Sequence, residues 1–231
     1  MKTLRPVKLT LIFAEAGVEL VPPELWKHPS VKRWASKRGK SPKKCLLDIS
    51  FHYSAMKELK DWWKRGRPDI LHLCLLEALD SPLNRKGMLQ VYAHTYAGKI
   101  MKFRQDVRIP KNYFRFIGLM EQLLAEGKVP PDSEDPLIKI EETTLKAITS
   151  KCSHIYLMDE MGAKKSALSF AEEIVKHGNP CIIIGCFQSG TFSPDIYMLA
   201  DERVKIFDEA LASWTVTSRV LTAIEIKLGL L

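Results

Sequence analysis

The sequence predicts an α/β fold: a parallel sheet core flanked by helices, preceded by a β-rich N-terminal extension. Two observations carry this expectation. Beyond Pro136, apolar runs of strand length alternate with segments of helical period, the pattern of β–α–β units with parallel strands. Before that point, short apolar runs bounded by Gly, Pro and Asn read mostly as strands and turns. With 231 residues, 46% of them hydrophobic, the chain can bury a substantial core.

The elements follow in order. Lys8–Ala14 (KLTLIFA) reads as a strand and Cys45–Asp48 (CLLD) as a short second one. Ser54–Lys64 has Met56, Leu59 and Trp62/Trp63 at helical spacing. Asp69–Leu79 is apolar enough for a buried strand, and Asn84–Gly87 is a turn into the strand Met88–Tyr96, so this pair reads as a hairpin. Pro110 suits a first helical turn, with Phe114, Ile117, Met120, Leu123 and Leu124 in period and Gly127 as the stop. Pro130–Pro136 (PPDSEDP) is turn-rich and acidic, the best candidate for a linker. Then come a strand at Ser153–Leu157, a helix at Ser166–His177, strands at Cys181–Phe187 and Arg203–Phe207, and a helix at Ser213–Lys227.

Charge is polarised along the chain. Residues 1–128 hold 25 Lys+Arg against 12 Asp+Glu, and residues 129–231 hold 10 against 15. Lys27–Lys44 contains eight Lys/Arg, no acid, and Trp34 at its middle. Such a segment is either a solvated basic loop or a contact for a phosphate backbone with a base stacked on the ring; the polarity of the whole chain favours nucleic acid. The five cysteines show no C-x-x-C spacing and most sit in apolar runs, which suits buried reduced thiols. The longest apolar runs are too short to span a bilayer, and Met1–Ala16 makes a poor signal peptide, so the expectation is a soluble cytoplasmic protein with no membrane partner.

Several motifs admit both a structural and a functional reading. In Gly66–Asn84 (GRPDILHLCLLEALDSPLN), an Arg-Pro-Asp triplet leads into an apolar run that ends in Asp-Ser-Pro. Turn chemistry accounts for the prolines; a site would account for Arg67, Asp69 and Asp80. In IGCFQSGTFS (Ile184–Ser193) the glycines Gly185 and Gly190 have P-loop spacing, but Thr191 stands where the lysine belongs, which excludes a Walker-type triphosphate site. This loop, LMDEMGAKKS (Leu157–Ser166) and IFDEALASWT (Ile206–Thr215) all follow strands, and three neighbouring parallel strands would bring them to one ligand. Arg108, Lys111 and Arg115 cluster at a helix N-terminus, where the macrodipole disfavours cations, so they are either surface charge or an anion site. His72 and His94 fall in strands as core or hydrogen-bonded groups, and no spacing supports metal or Ser-His-Asp chemistry.

Together, and in this order, GRPDILHLCLLEALDSPLN, LQVYAHT, VRIPKNYFRFIGLMEQLL, IGCFQSGTF and LASWTVTSRV resemble the ribosome-biogenesis pseudouridine-N1-specific methyltransferases of the SPOUT class, the Nep/Emg family, in its archaeal type. The resemblance runs from about Lys8 to the C-terminus. It implies a single SPOUT methyltransferase domain over 1–231 with a C-terminal deep trefoil knot, the knotted cofactor-binding part at about 151–231, a basic RNA-facing part at about 1–128, and a homodimer. It implies methyl transfer from S-adenosyl-L-methionine, leaving S-adenosyl-L-homocysteine, to N1 of a pseudouridine in small-subunit (16S) ribosomal RNA, in biogenesis of that subunit. The cofactor positions it implies are the Leu157–Gly162 loop, Gly185 to Gly190, and Ile206, Phe207, Asp208, Glu209, Ala210 and Leu211, with Ser213 and Thr215 beside them. The catalytic positions are Arg67, Asp69 and Asp80, and the RNA contacts are Arg67, Arg108, Lys111 and Arg115. Lys111 replaces an arginine of some members and loses the planar fork. In this reading Arg67 stabilises charge on the base, Asp69 orients it, and Asp80 meets the N1 proton. The competing readings are a non-catalytic RNA-binding assembly factor, and a SPOUT methyltransferase acting on another position such as a ribose 2′-hydroxyl.

Overall fold

The computed structural model describes residues 8–231; residues 1–7, the charged start of the Met1–Ala16 segment, lie outside the described residues. One eight-stranded sheet organises the chain, in the order β4-β5-β3-β2-β1-β7-β6-β8. The strands are β1 (Leu9–Ala16), β2 (Leu89–Thr95), β3 (Ile100–Phe103), β4 (Lys128–Val129), β5 (Ile138–Glu141), β6 (His154–Lys164), β7 (Pro180–Gly185) and β8 (Glu202–Lys205). Strands β2, β1, β7, β6 and β8 run parallel, while β3, β5 and β4 extend the sheet antiparallel.

β1 lies at the centre, and all eight of its residues are buried. Leu11 and Phe13 point into one core with Val91 and Ile182, while Ile12 and Ala14 point into another with Leu157 and Ile183. Burial on both faces explains the unbroken apolar runs of β1 and β7, as parallel sheets require. The helices are α1 (Pro29–Lys37), α2 (Ile49–Met56), α3 (Pro68–Asp80), α4 (Pro82–Arg85), α5 (Tyr113–Glu126), α6 (Leu145–Thr149), α7 (Ala167–Ile174), α8 (Pro194–Tyr197) and α9 (Ser213–Lys227). α3 packs on β1, β2, α5 and α9.

The parallel half matches the expectation, and α9 has the bounds read from sequence, except that β6 runs on to Lys164 through residues read as a loop. The N-terminal third differs. Asp69–Leu79 is not a strand but most of α3, with Pro68 in its first turn. The residues it leaves accessible are Asp69, Leu73, Leu76, Glu77 and Asp80, a stripe of helical spacing hidden because two of its members are leucines. The expected hairpin therefore does not form: β2 pairs parallel with β1 and antiparallel with β3. Cys45–Asp48 makes no strand, only an isolated Leu20–Leu46 bridge, and no β-rich extension appears among the described residues. The helix expected at Ser54–Lys64 is α2, which starts earlier, where Asp48 Oδ1 accepts from Ser50 N at 2.8 Å, and ends at Met56. Asp61 then takes a left-handed φ of 52° and Trp62–Lys64 form a single 3₁₀ turn.

Lys27–Lys44 is neither a loop nor a stacking surface. Its middle is α1, and Trp34 is buried, stacked on Phe51 with ring centroids 3.6 Å apart. Buried Glu121 of α5 draws the segment in, pairing with Arg38 at 3.0 Å and with Lys40 and accepting from Leu46 N at 3.1 Å. Pro130–Pro136 is a connection between β4 and β5 of the same sheet.

Candidate active site

The carboxyl ends of β7, β6 and β8 open on one cleft of about 370 Å³, within the range of small-molecule sites. Each strand end contributes by close backbone approach. In β6 the register against β8 slips so that Met158 and Ala163 both face Val204, and the residues between them form a bulge. A Cβ on Gly162 would stand 2.5 Å from Val204 N and 2.7 Å from Arg203 O, so only glycine fits there. After β7, a Cβ on Gly185 would meet the Phe187 and Phe192 rings at 3.0 Å, and Gly190 adopts φ +97°. After β8, the chain from Lys205 to Leu211 forms the third wall, and Ser213 Oγ donates to Gly185 O at 2.5 Å. Ile184, Ile206 and Val216 give the cleft apolar surface, and Asp159, Glu160 and Glu209 its carboxylates. Asp159 Oδ1 accepts from Met161 N at 3.0 Å, which fixes the β6 bulge.

Arg67 reaches the lip of this cleft. Its Nε and one terminal nitrogen donate to Asp69 Oδ1 and Oδ2 at 2.8 and 2.7 Å, and the other donates to Gln188 Oε1 at 2.8 Å. The local sequence makes this possible. Gly66 turns the chain with φ +61°, Arg67 caps α3, Pro68 opens it, and Asp69 sits in its first turn. Arg67 N donates to Gly17 O at 2.9 Å, and a Cβ on Gly17 would collide with Lys64 O at 2.7 Å. The bidentate bond to Asp69 raises the Arg67 pKa, outweighing the opposing effect of burial. Behind this pair, Tyr113 OH donates to Asp48 Oδ2 at 2.6 Å; burial and that carboxylate push the phenol well up.

A second cleft, larger and more charged, lies at the other end of α3. Asp80, Arg85, Arg104, Arg108 and Lys111 line it above Leu75 and Leu79. Asp80 is exposed and accepts from Arg85 at 2.5 Å, a bond that lowers its pKa. Arg104 is bound to Asp106 and Asp135 at 2.6 Å each. Among the described residues, Arg108, Lys111 and Arg115 make no ion pair. Asn112 caps α5, its Oδ1 accepting from Arg115 N at 3.1 Å, so Lys111 lies outside the helix and shares no helical face with Arg115. Buried His72 ties the Arg108–Lys111 segment to α3 through Pro110 O at 2.7 Å.

Comparison with known proteins places this geometry. The family model described as EMG1/NEP1 methyltransferase matches residues 11–225. The ribosomal RNA small subunit methyltransferase Nep1 of Staphylothermus marinus is 47% identical, over 94% of this chain and 95% of its own. The protein of the same name from Thermococcus kodakarensis is 40% identical, over 96% of this chain and 100% of its own. The chain belongs to the EMG1/NEP1 methyltransferase family. Its fold is similar to the crystal structure of Archaeoglobus fulgidus Nep1 bound to S-adenosylhomocysteine, with TM-score 0.86, 36% identity, and coverage of 95% of this chain and 98% of that one.

Within this family frame, the structure brings together Gly185, Gly190, Ile206, Phe207, Glu209, Ala210 and Leu211 around the first cleft, with Arg67 and Asp69 at its lip. Leu157 points into the core opposite, and its neighbour Met158 lines the cleft instead. Asp208 turns outward to Lys164 at 2.6 Å. Asp80 is set apart: it lies eleven helical steps beyond Asp69, about 16 Å along the axis. The family resemblance put all three charges in one site; the strand reading did not, since an extended segment would hold Asp69 and Asp80 still farther apart. Sequence reasoning missed Gln188 and Glu15. Glu15, buried with a left-handed φ of 53°, accepts from Ser193 N at 3.0 Å and Lys64 Nζ at 2.6 Å, fastening the loop after β7. An acid at the carboxyl end of an otherwise apolar strand was the signal for it.

Proposed function

We propose that this chain is an S-adenosyl-L-methionine-dependent methyltransferase that modifies N1 of a pseudouridine in small-subunit ribosomal RNA, in biogenesis of that subunit. The observation that carries the reading is the Arg67–Asp69 fork, fastened to Gln188 at the lip of a cleft built by three parallel strand ends. The names of the relatives, and the S-adenosylhomocysteine in the Archaeoglobus fulgidus structure, support it. The cleft suits that cofactor in its chemistry: glycines where the backbone must come close, apolar walls, and the carboxylates of Asp159, Glu160 and Glu209. The β6 bulge, Gly185 to Gly190, and Ile206 to Leu211 would hold it. When bound, S-adenosylmethionine supplies an electrophilic sulfonium methyl.

The remaining work falls to this chain's residues. Pseudouridine has a free N1–H, and methylation requires that proton to leave while charge grows on the ring carbonyls. Arg67, preset by Asp69, stabilises that charge, and fixed donors of this kind need no reorganisation during reaction. Asp69 is the carboxylate at this lip and takes over the proton-accepting role first read for Asp80. Asp80 instead holds Arg85 in the second cleft, where Arg108 and Lys111, with Arg115 on α5, meet RNA phosphates.

A trefoil knot at about 151–231, as in the family this chain resembles, belongs to the same reading. A homodimer is supported by exposed apolar residues at the rim of the first cleft, Met161 at 74% and Phe207 at 51%, which a second copy would cover. One SPOUT domain, with its basic 1–128 part facing RNA, completes the reading, and a ribosomal RNA substrate puts its action in the cytoplasm. Labelled S-adenosylmethionine with matched uridine and pseudouridine oligonucleotides tests the reaction. Label in the pseudouridine strand alone is expected. Label in both indicates a ribose target, and RNA binding with no label indicates an assembly factor without catalysis.

A further inference from the structure

Three aromatic side chains lead away from the lip of the first cleft. Trp63 lies against the loop after β7, where a Cβ on Gly190 would stand 3.1 Å from its indole Nε1. Trp62 meets Trp63 edge-on, with centroids 6.4 Å apart and planes at 79°, and Tyr53 meets Trp62 at 5.9 Å and 77°. The two outer members stay open to solvent: Trp63 is 40% exposed and Tyr53 48%. The sequence pattern assigned Trp62 and Trp63 to a helix face. Helix α2 instead ends at Met56, and after the left-handed Asp61 a separate 3₁₀ turn leaves Trp63 exposed beside the cleft.

The charge around this row is sorted. Lys64 is taken by Glu15 and Arg65 by Glu19, both at 2.6 Å, and Asp61 accepts from Tyr96 OH at 2.9 Å. Lys57 and Lys60 are exposed and make no ion pair among the described residues; Glu58 is the one exposed acid of the segment. Lys57 Nζ lies 4.9 Å from the Tyr53 ring centroid. Open rings beside unpaired lysines are the elements that hold single-stranded nucleic acid: every base has a face to stack, and the cations follow the phosphates.

We propose that Tyr53, Trp62 and Trp63 form a stacking platform for the unpaired RNA bases that flank the base presented to the first cleft. The proposal rests on the RNA-substrate reading above. A base that enters the cleft must leave its stack, and its neighbours lose their stacking partner. The row of rings begins at the cleft's lip, where Trp63 touches Gly190, and so offers those neighbours a replacement.

The test measures binding of a short single-stranded RNA carrying one pseudouridine, against the same RNA with abasic flanking positions. Tyr53→Ala is the decisive variant because Tyr53 is two rings removed from the cofactor loop; Trp63→Ala and Trp63→Phe accompany it. Affinity for S-adenosylhomocysteine reports folding. Tyr53→Ala and Trp63→Ala are expected to weaken binding of the intact RNA, each by roughly five- to a hundredfold, with an unchanged salt slope. Trp63→Phe should restore most of it, and the abasic RNA should bind wild type and variants alike. Intact RNA bound equally by wild type and Tyr53→Ala overturns the platform alone, as does the same loss on the abasic RNA. Variants that change only the oligomeric state assign the surface to a second copy and overturn it too. A wild-type protein that binds neither RNA overturns both the platform and the RNA reading.

Discussion

The two clefts at opposite ends of α3 are built by opposite means. The first is made of backbone: three strand ends, glycines that admit no Cβ, and one arginine locked by a carboxylate and an amide. The second is made of long cationic side chains, of which Arg85 and Arg104 are neutralised by Asp80, Asp106 and Asp135 while Arg108 and Lys111 make no ion pair among the described residues. A backbone cleft fixes one small ligand in one pose. A cleft of long cationic side chains attracts a polyanion in many. On the proposed reading, chemistry belongs to the first and phosphate contact to the second, and substitutions should separate the two.

The sharpest break is at Arg67. Arg67→Ala should lower single-turnover methyl transfer by roughly 10²–10³ while RNA affinity falls far less. Arg67→Lys should recover little, because an ammonium cannot span both Asp69 oxygens and Gln188 at once. Equal losses of rate and affinity would return Arg67 to the RNA-binding group and blur the comparison.

Gly162 probes the backbone nature of the first cleft. A Cβ there meets β8 main chain, which cannot rotate away as a side chain can. Gly162→Ala should cost about 2–3 kcal/mol of stability, read from urea unfolding, with loss of S-adenosylhomocysteine binding. Gly118→Ala on α5, where a Cβ meets nothing within 4 Å, serves as the control and should be neutral or slightly stabilising.

Acid should act on the support behind the first cleft. His52 is fully buried; its Nδ1 accepts from Asp48 N at 3.0 Å and its Nε2 has no partner among the described residues. Burial lowers its pKa from 6.5 to about 4. Between those values the unfolded chain binds a proton that the folded chain refuses. Stability should therefore fall as pH drops from about 6.5 to about 4, by about 3 kcal/mol in all, and level off below. His72 and His94, also lowered by burial, act with the same sign. His52→Asn, which can keep an acceptor for Asp48 N, should flatten this part of the pH–stability curve.

The two clefts also differed in how well the sequence revealed them. The loops of the first were legible because β1 and β7 are buried on both faces, so their apolar runs and the glycines that end them stand out. The second was not, because it depends on α3 being a helix. Helix α3 is covered by the sheet, α5 and α9, and Leu73, one of its exposed positions, is apolar. Its period is therefore nearly invisible in the sequence, and the pairing of Asp80 with Arg85 rather than with the Arg67 site could not be read. Trp34 misled for a related reason. Basic residues surround it in sequence, yet the helix turns those outward and the ring inward onto Phe51.

The smallest effects belong to the second cleft, and they have opposite signs. Arg108→Ala and Lys111→Ala should each reduce the slope of log affinity against log salt by about 1, leaving S-adenosylhomocysteine binding unchanged. Asp80→Asn should do the reverse. Removing the carboxylate releases Arg85 to the RNA, so affinity at low salt should rise a few-fold and the slope steepen by up to about 1. Methyl transfer at saturating RNA should not change. If Asp80→Asn instead lowers the single-turnover rate without strengthening RNA binding, then Asp80 reaches the base after all. It could do so only from a second copy of the chain, because about 16 Å of helix separates it from Asp69 within one.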